Sequence, residues 1–508
     1  MHPPLTIRVL RASILSLILP TFLAAQSSPT PKLAPATQTA VEQLTGYMLL
    51  HGQAYEYDRQ LSDTIGPRLT GSQNYVKAVD WAVTEFTRLG LSNVHKERWT
   101  IPATWEPEST GPARILTPHE QRLHLESDGW SPSTPEGGIR GPVFHLPSEN
   151  DTASIRASAS KIKGSIVLID ADSRHTGPED TPEGVVADND KLIAQLGALA
   201  ILTTGTTQNA VSVGGSVWDG HLLPLPTANL GQEDALLLRR LLDHASESGP
   251  VTIEFSFKNR IRENVPVDNV IAEIPGQPAS DNGKPAEWLL LGAHLDSWHP
   301  GTGAQDDGTG VASVLAVAQA VMALHRPPAR TLRFVLFGGE EEGLLGSLAY
   351  TRAHASDLVN CDAALITDTG SEPPKGWLTF ARTESRQSLT PISPLLAGLG
   401  AQDISENGRF TFGVDAGSFL VRGIPSLLLW TSADKYRALH HKPSDTFDKV
   451  VERDLELGAA TLGITAYAIA DSPQPFAPHL NPTQVEDQMK QLKVFPDFDD
   501  MRKRNMLF

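Results

Sequence analysis

Four apolar runs in this chain each end on a side chain of a type that can hold a metal ion. They are EWLLLGAHLD, ending at His294 and Asp296; TLRFVLFGGEE, ending at Glu340 and Glu341; CDAALITD, ending at Asp368; and IPSLLLW, followed by a loop that carries His441. In an open parallel sheet, ligands bind in the crevice beyond the carboxyl ends of the strands. If the four runs are neighbouring strands, all of these polar side chains meet there.

At 508 residues the chain is long enough for roughly two to four domains and a large apolar core. A formal net charge of −17 argues against a nucleic-acid surface, which needs clustered Lys and Arg. Arg8 and Arg11 precede the apolar run SILSLILPTFLA, and small residues follow at Ala24 and Ala25. That pattern predicts a signal peptide over residues 1–25, too short for a membrane span, and an exported protein, periplasmic or secreted. No span is expected in the mature chain. Cys361 is the sole cysteine, so no disulfide can form within the chain and stability must come from packing and bound metal.

The organisation reads as one α/β domain with an interruption. Residues 36–115 form its first part: a helix over about 36–60, the Gly/Pro-rich loop DTIGPRLTGS, then a helix starting after Ser72 as N-cap and stopping at Gly90. That helix is expected to turn Val76, Val79, Val83 and Phe86 to one face. Residues 116–258 are Gly/Ser/Pro-rich with short β-like runs such as KGSIVLID, and read as an inserted, mostly β domain without a catalytic cluster. Over residues 259–475 strands and helices alternate, which predicts a mostly parallel central sheet flanked by helices. The charged tail, 476–508, reads as peripheral.

The chemistry begins at GAHLDSWHPGTGAQDDGTG. His294 can bind zinc through one ring nitrogen, and Asp296 is placed to orient it. Asp306, in a Gly-rich loop, has two carboxylate oxygens and can bridge two metals about 3.5–4 Å apart. Three adjacent acids in GGEEEG would be costly at a buried strand end without cations nearby. One glutamate can bind metal while its neighbour takes a proton from water. Taken alone, Asp368 reads as a helix cap and His441 as a surface histidine; together with the others they complete a ligand set.

These segments, in this order, resemble the two-zinc exopeptidases that include bacterial secreted aminopeptidases, and most closely the carboxypeptidase Q branch. DTIGPRLTGS, AVDWAV, IPATW, NVIAEIPG, GAHLDSW, GAQDDGTG, FGGEEEGLLGS, DAGSFLVRGIPS and HHKPSDT carry the resemblance across nearly the whole mature chain. It implies the zinc exopeptidase fold and two zinc ions per chain. His294, Asp306 and Asp368 would hold one, and Asp306, Glu341 and His441 the other. Glu340 would be the general base and Asp296 the orienting acid. The insert looks like a protease-associated domain. Where the family often has tyrosine before the last ligand histidine, this chain has His440, which would donate instead; the adjacent pair leaves a one-residue ambiguity that the HxxxDT spacing to Asp445 and Thr446 resolves toward His441.

The implied substrates are short peptides or dipeptides, with aminopeptidase action as the nearest variant and Asp415 as a candidate for gripping a free α-amino group. A homodimer is left open. A non-catalytic binding protein on the same fold would be expected to lack ligands, and a glutaminyl cyclase would use one zinc.

Overall fold

The computed structural model describes residues 33–146, 151–170, 182–205, 211, 219–277, 287–406 and 411–507. The expected signal segment lies outside them. Among the described residues no helix is long and apolar enough to cross a membrane.

The central sheet has eight strands in the order Ser92–Thr110, Phe257–Ile274, Thr331–Phe337, Trp288–His294, Cys361–Ile366, Ser426–Thr431, Pro374–Leu378 and Asp403–Ser405. Four consecutive strands, from Thr331–Phe337 through Ser426–Thr431, pair in parallel. Their carboxyl ends therefore share one edge, and the four ligand-bearing runs deliver their polar residues to it.

Strand side chains alternate between faces, and the two faces have separate cores. Leu289, Leu291, Phe334, Leu336, Leu365 and Leu427 pack with helices Pro35–His51, Gln73–Arg88, Thr309–Ala323 and Glu452–Ala470. Leu290, Val335, Phe337, Ala364, Ile366 and Leu428 pack on the other side with helices Leu345–Ala353 and Ala416–Leu420. The helix Thr309–Ala323 is apolar nearly all round because it is buried along most of its length.

Two expectations need correction. In Gln73–Arg88 the Ser72 side chain does accept the Tyr75 N–H as N-cap, but the buried face is Tyr75, Ala78, Val79, Ala82 and Phe86. Val76 is 51% exposed, because small alanines let the helix turn a neighbouring stripe inward. The tail is not peripheral either. Its helices, Pro482–Gln491 and Phe495–Lys503, insert Val485, Met489, Phe498 and Met501 into the second core, and Leu507 follows them. Arg504 also meets Asp188 of the helix Glu183–Gln195 at 3.0 Å.

Among the described residues, strands between Arg114 and Phe255 form a second sheet of eight strands. Ile166, Leu168, Ala200 and Leu202 face the helix Gln232–Asp243 through Ala235 and Leu238. Val167, Ile169 and Ile201 face the opposite way, toward Ile155, Ile162 and Ile193. The chain leaves and re-enters the central sheet along one antiparallel ribbon, Ser92–Thr110 against Phe257–Ile274.

Candidate metal centre

His294 is the last residue of its strand and is 1% exposed. Its Nδ1 lies 3.1 Å from the Asp296 carbonyl oxygen, and its Nε2 lies 3.2 Å from Asp306 Oδ1 and 3.7 Å from Asp368 Oδ1. On the other side, Asp306 Oδ2 is 3.4 Å from His441 Nε2 and 3.5 Å from His440 Nε2. Glu341 Oε2 closes on His441 Nε2 at 2.9 Å. Two groups of potential ligand atoms result, His294–Asp306–Asp368 and Asp306–His440–His441, with Asp306 in both. The two histidine rings stack 3.7 Å apart, so proximity to Asp306 alone does not choose between them.

The loop DTIGPRLTGS builds the frame. The fully buried Arg68 guanidinium donates to the carbonyls of Leu295, Thr302 and Gly303 at 2.7, 2.7 and 2.9 Å. It thereby ties down the segment joining His294 to Asp306. Thr70 donates to Asp296 Oδ2 at 2.8 Å, and the Gly339 N–H reaches the same oxygen at 3.0 Å, linking the His294 loop to the glutamate turn. Trp298 packs edge-on to His441, with ring centres 5.8 Å apart.

The electrostatics call for a cation. Asp306 Oδ2 and Glu341 Oε1 are buried without a hydrogen-bond partner among the described residues. Burial pushes Glu341 up to about 7, aided by Asp306 and opposed by His441. Burial works against a charged His441, but Glu341 and Asp306 outweigh it and carry its pKa up to about 10. Glu340 is raised well above the usual carboxylate range by burial and by Asp368, Glu341 and Asp415, against the pull of His294. Imidazole nitrogens set among carboxylates in this way are the N/O donor set that zinc takes, and the residues present fit it.

Sequence reasoning missed three contributors. The Tyr436 hydroxyl donates to Asp368 Oδ1 at 3.1 Å. Its place one helical turn before His440 was the available signal. Glu372 accepts the backbone N–H groups of Lys435 and Tyr436 at 2.7 and 3.0 Å, fastening the helix Asp434–Leu439 that leads into the histidines. Nothing in the local sequence points to that role. Arg68 stands out in the sequence only as one residue of the loop DTIGPRLTGS. Asp415 corrects an expectation: it is 1% exposed and both its carboxylate oxygens are sealed from solvent, so it cannot grip a substrate amine.

Residues 269–462 match the model of peptidase family M28. The chain is 29% identical over 435 residues to carboxypeptidase Q of Mus musculus, covering 85% of this chain and 88% of that one. Among solved structures, a peptidase M28 precursor from Shewanella amazonensis SB2B matches with TM-score 0.75 and 28% identity, over 88% of this chain and 99% of that one. A zinc aminopeptidase from Bacillus subtilis shares the fold, with TM-score 0.62 and 21% identity over 84% and 97% of the two chains.

Proposed function

We propose that this zinc metallopeptidase, whose residues 269–462 match the model of peptidase family M28, is an exopeptidase acting on short peptides or dipeptides with two zinc ions, in the manner of carboxypeptidase Q. The observation that carries the two-ion reading is the membership of Asp306 in both groups of ligand atoms. His294, Asp306 and Asp368 hold one ion. Asp306, Glu341 and His441 hold the other; the 2.9 Å approach of Glu341 to His441, and the lower exposure of His441 than of His440, 28% against 44%, favour His441 as the ligand.

When bound, zinc supplies Lewis acidity, which polarises a carbonyl and acidifies water. The protein's own side chains supply the rest. Asp296, held by Thr70 and Gly339, keeps His294 oriented. Glu340, next in sequence to the ligand Glu341, accepts the proton of the attacking water and passes one to the leaving amine. His440, the more exposed of the stacked pair, donates toward the carbonyl oxygen as negative charge develops there.

The insert is read as a protease-associated domain governing substrate access or assembly, and the first 25 residues as an export signal. The experiment that tests the whole reading is metal analysis of the purified protein combined with hydrolysis of dipeptides and of peptides blocked at either end. Two zinc ions per chain and cleavage of free dipeptides are expected. Cleavage of C-terminally blocked peptides with equal efficiency would favour aminopeptidase action, and one zinc with no peptide hydrolysis would refute the proposal.

A further inference from the structure

The segments IPATW and GAHLDSW each contribute a tryptophan that the proposed chemistry leaves unused. In the structure these tryptophans belong to one line of rings. Trp105, on the long ribbon, stacks on Trp130 with centres 6.4 Å apart. Trp130 meets Trp298 edge to face at 6.0 Å, and Trp298 meets His441 at 5.8 Å. His441 then stacks on His440, and His440 lies 5.2 Å from Tyr436, whose hydroxyl is on Asp368. The line runs from the base of the second sheet to both groups of ligand atoms.

The far end is firmly fixed. Trp105 donates its indole N–H to the Ser131 carbonyl at 3.2 Å, and Trp130 donates to the Ala103 carbonyl at 2.8 Å, so each ring is pinned by the other's segment. The Trp130 carbonyl accepts the Leu223 N–H at 3.0 Å. Trp130 has a left-handed backbone, φ 59°, a conformation that a bulky residue keeps only where its surroundings over-determine it. Trp298 differs: it is 5% exposed and its indole nitrogen has no hydrogen-bond partner among the described residues. Its orientation is therefore set by ring packing, with Trp130 behind it and His441 in front.

We propose that Trp298 is a positioning residue for His441, and that Trp130 makes the second sheet's region a participant in zinc binding through packing rather than ligation. The inference rests on the two-zinc reading, in which His441 serves one ion only. A histidine ring aimed by a rigid neighbour loses less freedom on binding, and loss of such supporting contacts costs metal affinity.

The test uses the full-length protein with Trp298→Leu, Trp298→Phe and Trp130→Phe, and measures stepwise zinc affinity by chelator competition, kcat and KM on a dipeptide, and thermal stability. Trp298→Leu is expected to weaken one zinc about 10-fold and lower kcat, with the other zinc and KM little changed. Trp298→Phe keeps an aromatic ring and should recover most of the loss. Trp130→Phe should weaken the same zinc to a smaller degree. Equal zinc affinities in Trp298→Leu and the parent, or loss of both ions together with a collapse in Tm, would overturn the inference. Should Trp298→Leu not fold, an unchanged zinc profile in both Phe variants overturns it equally. Zinc added to the metal-free parent should also alter indole emission, and an identical change in Trp298→Phe would count against the proposal. A parent chain that binds a single zinc refutes the two-zinc reading itself, whatever the variants do.

Discussion

Asp445 accepts the backbone N–H of Asp306 at 3.2 Å and that of Gln305 at 2.8 Å. One carboxylate thus joins the loop after the last parallel strand to the loop after the first, four residues from His441 on one side and next to the shared Asp306 on the other. The HxxxD spacing acquires a physical reason: the histidine faces Asp306 while the aspartate holds its backbone. The two ends of the site cannot move apart without breaking both bonds.

Because Asp306 is assigned to both ions, Asp306→Ala should strip most zinc from both positions and abolish activity. Metal content of the folded variant, measured after gel filtration, checks this. Two ions retained per chain would rule out the shared ligand.

Glu340 and Glu341 are adjacent and chemically alike, and only their proposed roles separate them. Glu340→Gln should keep zinc and substrate affinity while kcat falls about 10²–10⁴-fold. Glu341→Gln should instead weaken zinc binding, since a neutral amide oxygen is a poorer ligand. Parallel kinetics and metal analysis distinguish them, and a fully active Glu340→Gln enzyme would remove that residue from the proton path.

The stacked histidines give a complementary pair. His441→Ala is expected to lower zinc affinity at one position. His440→Ala should leave metal bound and reduce kcat by about 10²–10³-fold, the cost of losing one donor to a developing oxyanion. The opposite pattern would exchange their roles.

Arg68 offers a test of the frame. Arg68→Lys keeps the charge but loses the planar fork that reaches three carbonyls. Each carbonyl left buried without a donor costs about 1–3 kcal/mol. Thermal denaturation should record a lower Tm, in the metal-free protein as well as the zinc-loaded one. A Tm equal to that of the parent would mean that the loop is held by other contacts.

Ending the chain after Val494 removes the last helix. Phe498 and Met501 are each 3% exposed, and burying a side chain of this size is worth about 1.5–3 kcal/mol. The Arg504–Asp188 pair adds little, since both partners are substantially exposed. A clear loss of stability is expected in a denaturant titration; an unchanged midpoint would return the tail to a peripheral role.

The parallel core and its ligand edge were legible because each apolar run sits next to its polar terminus in sequence. Periodicity and adjacency carry that information locally. Arg68, Thr70 and Glu372 were not legible in the same way, since their partners lie far away in sequence or are backbone groups, which no residue pattern records. The tail misled for a related reason: its charges dominate the composition, while four apolar side chains spaced along two short helices do the packing. Asp415 was misplaced because an acid near a site looks the same in sequence whether it faces the cleft or the core.

The ribbon that carries Trp105 has a consequence for the chain's history as well as its stability. Thr110 and Phe257 are paired neighbours, so the second sheet departs and returns at a fixed, short separation. Closing such an excursion costs entropy that grows only with the logarithm of its length. Once the ribbon has zipped, the register of the ligand-bearing strands no longer depends on how much polypeptide hangs from its end, so the excursion can lengthen or shorten wherever Trp130 and Leu223, its contributions to the central core, stay in place.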